Sequence, residues 1–200
     1  MKSNNGNQGL NGGLLFFREF LKHPMQIGSI VPSSRFLEQR ILERGRVAMA
    51  GTVVELGAGT GGTTRAILRA MPREATLLSI EVNDRFHRAL NQIQDDRLIA
   101  HRGRAEELEN ILQTYGLDTP DVVVSGIPFS TMSPEHGSRV LAAVAANLAP
   151  KGRFVAYQVS RRVARLSRPH FGRARAAVEW RNLPPMRVFQ WEKKLDKESV

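Results

Sequence analysis

The sequence predicts an α/β fold: a seven-stranded, mainly parallel sheet that ends in an antiparallel hairpin and is covered at one end by N-terminal lid helices. Three observations predict it. Short apolar runs alternate with longer stretches of helical periodicity, the pattern of a parallel sheet buried on both faces. The first of these runs leads directly into a glycine-rich turn, Gly57-Ala58-Gly59-Thr60-Gly61-Gly62. The last two are joined by little more than Pro184-Pro185, a link too short for anything but antiparallel pairing.

Residues 1–13 are rich in Asn, Gly and Gln and have almost nothing apolar to bury, so a disordered lead is expected there. A single domain is then expected over residues 14–200, with helices covering the site up to residue 50 and the sheet beyond it. Leu14, Leu15, Phe16, Phe17, Phe20 and Leu21 give a short, broadly apolar helix that Pro24 ends. A second helix starts after Ser33 or Ser34, either of which can cap free backbone amides, and runs through Phe36, Leu37 and Ile41.

Residues 52–56 form the first strand, and the helix after the glycine turn stops before Pro72. Strands over residues 76–81 and 97–101 are each followed by a helix, the first starting near Asp84 and the second near Arg104. Residues 121–125 make the fourth strand. Ser133-Pro134-Glu135 combines a cap, a first-turn proline and an acid at the positive helix end, so a helix runs from there to about Leu148. Pro150-Lys151-Gly152 turns the chain into a fifth strand over 153–159, and stretches 178–181 and 186–193 complete the hairpin.

Composition narrows the function. The 200-residue chain has no cysteine, which excludes disulfides and cysteine-ligated zinc and permits a reducing compartment. No apolar run reaches the roughly 20 residues of a membrane span, and the charges inside residues 14–21 do not suit an export signal. A cytoplasmic protein is therefore expected. The net charge of +10 is uneven: residues 1–150 carry 16 basic against 15 acidic side chains, residues 151–200 carry 13 against 4. Such a basic end suits an anionic partner, nucleic acid or phospholipid.

The glycines of the first turn let the chain bend sharply and let a ligand touch backbone. Glu81 ends the second strand, where a carboxylate can accept both ribose hydroxyls of an adenosine lying across the strand ends. Gly57, Gly59 and Gly62 also satisfy the dinucleotide pattern G-x-G-x-x-G, so the loop alone leaves a nicotinamide or flavin enzyme open. Glu55 favours the other reading, because a carboxylate there repels a pyrophosphate and suits a cationic amino group.

With Glu55-Leu56-Gly57-Ala58-Gly59-Thr60-Gly61, the chain resembles the class I S-adenosylmethionine-dependent methyltransferases, which have a Rossmann-like fold. The resemblance implies S-adenosyl-L-methionine as cofactor, held by Glu55, Gly57, Ala58, Gly59, Thr60, Gly61, Glu81, Val82, Ala105, Glu106 and Ser125. In it, Ala105 offers an amide to the adenine ring and Glu106 accepts from its exocyclic amine; Glu106 also reads simply as a first-turn helix acid. Ser125-Gly126-Ile127-Pro128-Phe129, after the fourth strand, is similar to the Ser-Gly-Leu-Pro-Phe turn of soluble bacterial phospholipid N-methyltransferases. Ribosomal RNA adenine dimethylases are related but carry an Asn-Leu-Pro-Tyr type of turn there and usually a further helical domain. The stretch from His23 to Ser34 also resembles the phospholipid enzymes, so that the likeness spans residues from about 14 to 194.

The resemblance implies methyl transfer to phosphatidylethanolamine, with Ser125 and Pro128 at the amine and Phe129 offering a π face; the ammonium must first lose a proton, for which His23 is one candidate base and solvent another. His87, His101, His136 and His170 show no ligand spacing and read as surface or packing residues; no metal is expected. Arg161, Arg162, Arg165, Arg168, Arg173 and Arg175, interleaved with Val163, Leu166 and Phe171, suit an anionic membrane surface, with the residue 14–21 helix as the apolar signal. RNA would satisfy the same arginines, and an RNA methyltransferase or a non-catalytic cofactor-binding protein remain the alternatives. A monomer at the inner face of the cell membrane is the expected state.

Overall fold

The computed structural model describes residues 33–194. The expected lead over residues 1–13, the helix over 14–21 and the stretch containing His23 lie outside the described residues. Helix α1 (Arg35–Gly45) begins where the Ser34 hydroxyl accepts the Leu37 amide, and it buries Leu37 and Ile41. Strand β1 (Thr52–Leu56) leads through the glycine loop into α2 (Gly62–Ala70). Then follow β2 (Thr76–Glu81), α3 (Asp84–Leu90), β3 (Leu98–Arg102), α4 (Leu108–Thr114) and β4 (Val122–Ser125). The chain ends with α5 (Pro134–Asn147), β5 (Arg153–Gln158), two short helices α6 (Arg162–Leu166) and α7 (Arg168–Phe171), and the hairpin β6 (Arg175–Glu179) and β7 (Met186–Glu192).

The seven strands lie in the order β3-β2-β1-β4-β5-β7-β6. β1 to β5 pair in parallel, while β7 is antiparallel to both β5 and β6. β6 therefore runs in the same direction as β1–β5, and the carboxyl ends of six strands share one edge. The strand order reverses between β1 and β4, which opens a crevice at that edge, where ligands of such sheets bind.

Two apolar layers sandwich the sheet, because alternate residues of each buried strand face opposite sides. Val54, Leu56, Leu78, Val123 and Phe154 belong to the layer shared with α4 and α5; Val53, Leu77, Val124 and Val155 belong to the one shared with α1 and α2. Each fully buried side chain of this size contributes roughly 1.5–3 kcal/mol, which makes the sheet the rigid part on which the loops stand.

The basic segment departs from the expectation. The hairpin begins at Arg175, three residues earlier than its apolar pattern suggests, so Arg175 opens an edge strand. Val163 is fully buried, Leu166 and Phe171 pack on the core, and Phe171 stacks on Phe154 with ring centroids 5.4 Å apart. These three residues anchor the segment inward, with Val163 fully buried and Leu166 and Phe171 half-buried against the core. Nor do the six arginines form one face. Arg161 and Arg162 follow the carboxyl end of β5, whereas Arg173 and Arg175 precede β6 and lie at the opposite sheet edge. Among the described residues no helix is long and apolar enough to cross a membrane, and no cluster of His, Asp and Glu could hold a metal.

Candidate active site

The glycine loop is built by three left-handed residues, Gly57, Gly59 and Gly61, with φ of 74°, 56° and 80°. A Cβ on Gly57 would come within 3.1 Å of the Ile127 side chain and 3.3 Å of its amide nitrogen, so the β1 and β4 turns touch through this glycine. The Arg65 guanidinium braces the loop by donating to the carbonyls of Thr60 and Gly61, at 3.2 and 3.1 Å.

Two carboxylates hold the loop from below. Glu81 accepts the Gly59 amide at 2.9 Å on one oxygen and the Asn83 amide at 2.8 Å on the other. Glu55, beneath the loop, accepts the Thr64 hydroxyl at 2.6 Å and the Ser79 hydroxyl at 2.7 Å, both on Oε2. Its Oε1 is buried without any hydrogen-bond partner. Burial pushes the Glu55 carboxyl up to about 7, against the pull of the two hydroxyls and helped by the nearby charge of Glu81.

A cavity of about 610 Å³ opens along the carboxyl edge, within the usual range of roughly 300–1,000 Å³ for small-molecule sites. Gly57, Ala58, Gly59, Thr60, Glu81, Val82, Ala105, Glu106 and Pro128 all line it. Gly61 shapes the loop without lining the cavity, and Glu55, Ser125 and Phe129 lie beneath the wall. Ser125 is fully buried and its hydroxyl accepts the Ile127 amide at 3.3 Å, so it closes the turn from inside. Phe129 is fully buried too, packed beside Gly137 in the α5 layer, and its ring presents no face to the cavity. These two residues support the Gly126-Ile127-Pro128 turn, which Gln158 also fixes by donating to the Ile127 carbonyl at 2.7 Å.

Glu106 is bound by Arg104 Nη2 at 2.6 Å and by His136 Nε2 at 3.1 Å. Burial works against its charge, but hydrogen bonds from its own backbone amide, Arg104 and His136 prevail and hold it below the usual carboxylate range. His136 is thus a cavity residue, contrary to its reading as an ordinary surface or packing histidine. The others keep to that reading: His87 contacts the Ala100 carbonyl, His101 meets Tyr115 edge-on, and His170 contacts Ser138.

Tyr157, at the end of β5, also lines the cavity and shares a 3.2 Å hydrogen bond with Thr63. Burial, together with the charge of Glu55, pushes its phenol well above the ordinary range, so it stays neutral. A Cβ on Gly126 would lie 2.5 Å from the Tyr157 hydroxyl and 3.0 Å from the Gly57 carbonyl, which explains the glycine in the turn. Sequence reasoning missed Tyr157; the available signal was a tyrosine near the carboxyl end of the strand expected over residues 153–159, and the structure sets it just past Ala156, the register partner of Ser125.

The strand order gives the cavity two ends. Towards β1–β3 it offers backbone amides, Glu81 and the largely exposed Val82; towards β5 and β7 it is walled by Leu37, Leu183 and Met186. The first end fits a nucleoside, with the Glu81 carboxylate, loop amides and the apolar Val82 facing the cavity, while the unpartnered Glu55 oxygen lies buried behind the loop. A pyrophosphate is disfavoured there, since it would lie against the Glu81 carboxylate that lines the cavity.

No family model matches the chain. An ornithine lipid N-methyltransferase of Singulisphaera acidiphila is 33% identical over 176 residues, covering 86% of this chain and 91% of the relative. Among solved structures, a putative O-methyltransferase from Klebsiella pneumoniae superposes with a TM-score of 0.65 at 16% identity, covering 95% of this chain and 92% of its own. The 1,6-didemethyltoxoflavin-N1-methyltransferase of Burkholderia thailandensis, solved with S-adenosylhomocysteine, gives 0.64 at 15% identity over 98% and 94%. An RNA methyltransferase from Salinibacter ruber, also with S-adenosylhomocysteine, gives 0.57 at 16% identity over 85% and 98%. At these identities the solved structures establish the fold alone.

Proposed function

The chain belongs to the class I S-adenosylmethionine-dependent methyltransferases, and on that premise we propose that it methylates the amino group of a membrane-lipid headgroup. The observation that carries this reading is the apolar second end of the cavity, where Leu37, Leu183 and Met186 face the polar nucleoside end across the Pro128 turn. RNA acceptors would favour polar and stacking groups there. The 33% identical relative, an ornithine lipid N-methyltransferase, supports the same class of acceptor. Phosphatidylethanolamine is the headgroup that the Ser125–Phe129 turn suggests, and an ornithine headgroup is the second reading, favoured by that relative. Both present a primary amine.

S-adenosylmethionine supplies a methyl group activated on a positively charged sulfur. The amides of the glycine loop, Glu81 at the ribose and Glu55 at the amino-acid tail would hold it, with Val82 and Ala105 at the base. The protein's part in the reaction is chiefly positioning, since holding reacting atoms in line is worth up to about 7–11 kcal/mol. Pro128, stiffened by Gln158 through Ile127, sets the wall against which the amine rests. A headgroup enters as an ammonium, and the apolar wall disfavours that charge. Its proton therefore leaves to solvent at the mouth and the lone pair is freed for attack. Neutral Tyr157 adds no competing charge.

Incubation with labelled methyl donor tests the reading, using vesicles containing phosphatidylethanolamine, vesicles containing ornithine lipid, and unmodified ribosomal RNA in parallel. Label in an amine lipid is expected. Label in RNA alone would overturn the proposal, and donor binding without turnover on any acceptor would favour a non-catalytic binding protein.

A further inference from the structure

We infer that the β6–β7 turn seats the protein on an anionic phospholipid bilayer, with Trp180 and Leu183 inserted at the interface beside the cavity mouth. The inference rests on the lipid-amine reading and goes beyond it by assigning the docking element. Because β6 runs parallel to β1–β5, its following turn projects from the cavity edge of the sheet. Trp180 is 76% exposed and Leu183 74% exposed, and Leu183 also lines the cavity. Leu183 thus carries apolar surface from outside the turn into the cavity, and a bilayer against the turn would lie across the entrance.

Their exposure is imposed by their neighbours. Glu179 is buried and bound by Arg40 at 2.9 Å and by Arg181 at 2.9 Å. The Arg181 guanidinium stacks over the Phe36 ring at 3.9 Å. Asn182 accepts the Ser34 amide at 2.9 Å and donates to the Pro184 carbonyl at 2.8 Å. Residues 179, 181 and 182 are pinned to the fold, so the two residues between and after them are held outward. A tryptophan fixed in this way, with an apolar body and one N–H, suits the boundary between headgroups and acyl chains.

Charge selects the bilayer over other occupants. Arg35 in the first turn of α1, Arg181 in the turn itself, and Arg161 after the carboxyl end of β5 stand at this edge. The acid of the turn itself, Glu179, is already shared by two arginines, and Glu135, at the start of α5 on the same edge, lies near Arg139 and Arg162. An apolar tip with basic side chains on the same edge combines the two signals that peripheral binding needs. A second copy of this chain would bring the same basic side chains against themselves.

The chain has two tryptophans, and the other, Trp191, is buried and stacked on Phe154 at 5.0 Å. Trp191→Phe therefore leaves Trp180 as the sole reporter. Its emission is expected to shift to the blue, and to be quenched by shallowly brominated lipid, when vesicles of phosphatidylglycerol and phosphatidylethanolamine are added. In the otherwise unchanged chain, Trp180→Ser is expected to lower partition onto those vesicles roughly tenfold. Turnover of a dispersed short-chain lipid amine should stay at the parent level. Unshifted emission on a protein that nonetheless sediments with vesicles, or undiminished partition of Trp180→Ser, would overturn the docking assignment and leave the acceptor reading intact. A blue shift caused by raising protein concentration alone would assign the face to self-association and overturn it as well. A parent chain that neither binds the vesicles nor methylates a dispersed lipid amine would remove the acceptor reading, and the docking assignment with it.

Discussion

The Gly59 amide donates to the Glu81 carboxylate at 2.9 Å, so the residue that reads the ribose in the proposed complex also fixes the curvature of the glycine loop. Ligand recognition and loop geometry are therefore coupled at one side chain, and the other Glu81 oxygen extends the coupling to Asn83, the cap of α3.

Glu81→Ala removes both acceptors and the hydrogen bonds proposed to the sugar. Hydrogen bonds to a charged group contribute about 1.5–3 kcal/mol, so donor affinity should fall about 10- to 100-fold or more. The sheet beneath does not depend on this carboxylate, and the variant should still melt cooperatively. Titration calorimetry with S-adenosylmethionine or S-adenosylhomocysteine checks it; unchanged affinity would remove Glu81 from the ribose site.

Glu55 predicts a pH dependence. Its folded-state carboxyl titrates near 7 against an ordinary value of 4.5, so the folded protein binds a proton that the unfolded chain releases between these values. Stability should therefore fall as pH rises from about 4.5 to 7 through this group. A cationic amino group held on the glycine loop above Glu55 favours the ionised form, so ligand binding should expel that proton and tighten over the same interval. Calorimetry in buffers of different ionisation enthalpy measures the proton released below about pH 7. Glu55→Gln should abolish the release, and its persistence in that variant would place the amino group elsewhere.

Much of this arrangement was legible in the sequence. β1 and β2 coincide with their apolar runs because both are central and buried on both faces, so nothing polar blurs their ends. The glycine loop and Glu81 were legible because their chemistry constrains residue type as well as burial. β6 was not, since Arg175-Ala176-Ala177 lies on a half-exposed edge where burial selects little and the arginines look like part of the basic run. Phe129 and Ser125 show the limit of motif reading. Both stand in the right turn, but the direction of a side chain is decided by tertiary packing, here against Gly137 and Ile127. Trp180 and Leu183 carry meaning only through their exposure, which no local pattern encodes.

Gly126→Ala tests the contact between the two turns. The added methyl would fall 2.5 Å from the Tyr157 hydroxyl and 3.0 Å from the Gly57 carbonyl, so tyrosine and loop must both give way. Overpacking of this kind costs about 1–3 kcal/mol, and donor affinity should drop with stability. Adding Tyr157→Phe removes the nearer atom and should restore part of the loss in both melting temperature and affinity. The Gly57 carbonyl, being backbone, keeps the recovery incomplete. Equal losses in the single and double variants would show that the tyrosine hydroxyl is not what Gly126 accommodates.

The anchor of the β6–β7 turn should fail in acid. Hydrogen bonds from the Arg181 side chain and backbone lead the causes that lower the Glu179 carboxyl to about 2, with Arg40 adding to them against burial. A depressed folded-state value stabilises the protein above the ordinary 4.5, and that contribution is lost as pH falls from there towards 2. Glu179→Gln should accordingly melt well below the parent at neutral pH, and the gap should close progressively near pH 3, where the parent carboxyl has lost most of its advantage. Arg181 and Arg40 lose their shared partner in the variant, so the turn loosens while the glycine loop, held through β1 and β2, does not. Donor affinity at neutral pH should therefore survive Glu179→Gln, whereas vesicle partition through Trp180 should weaken. A gap in melting temperature that stayed constant from pH 7 to pH 3 would mean that the two arginines do not stabilise the charged form of Glu179.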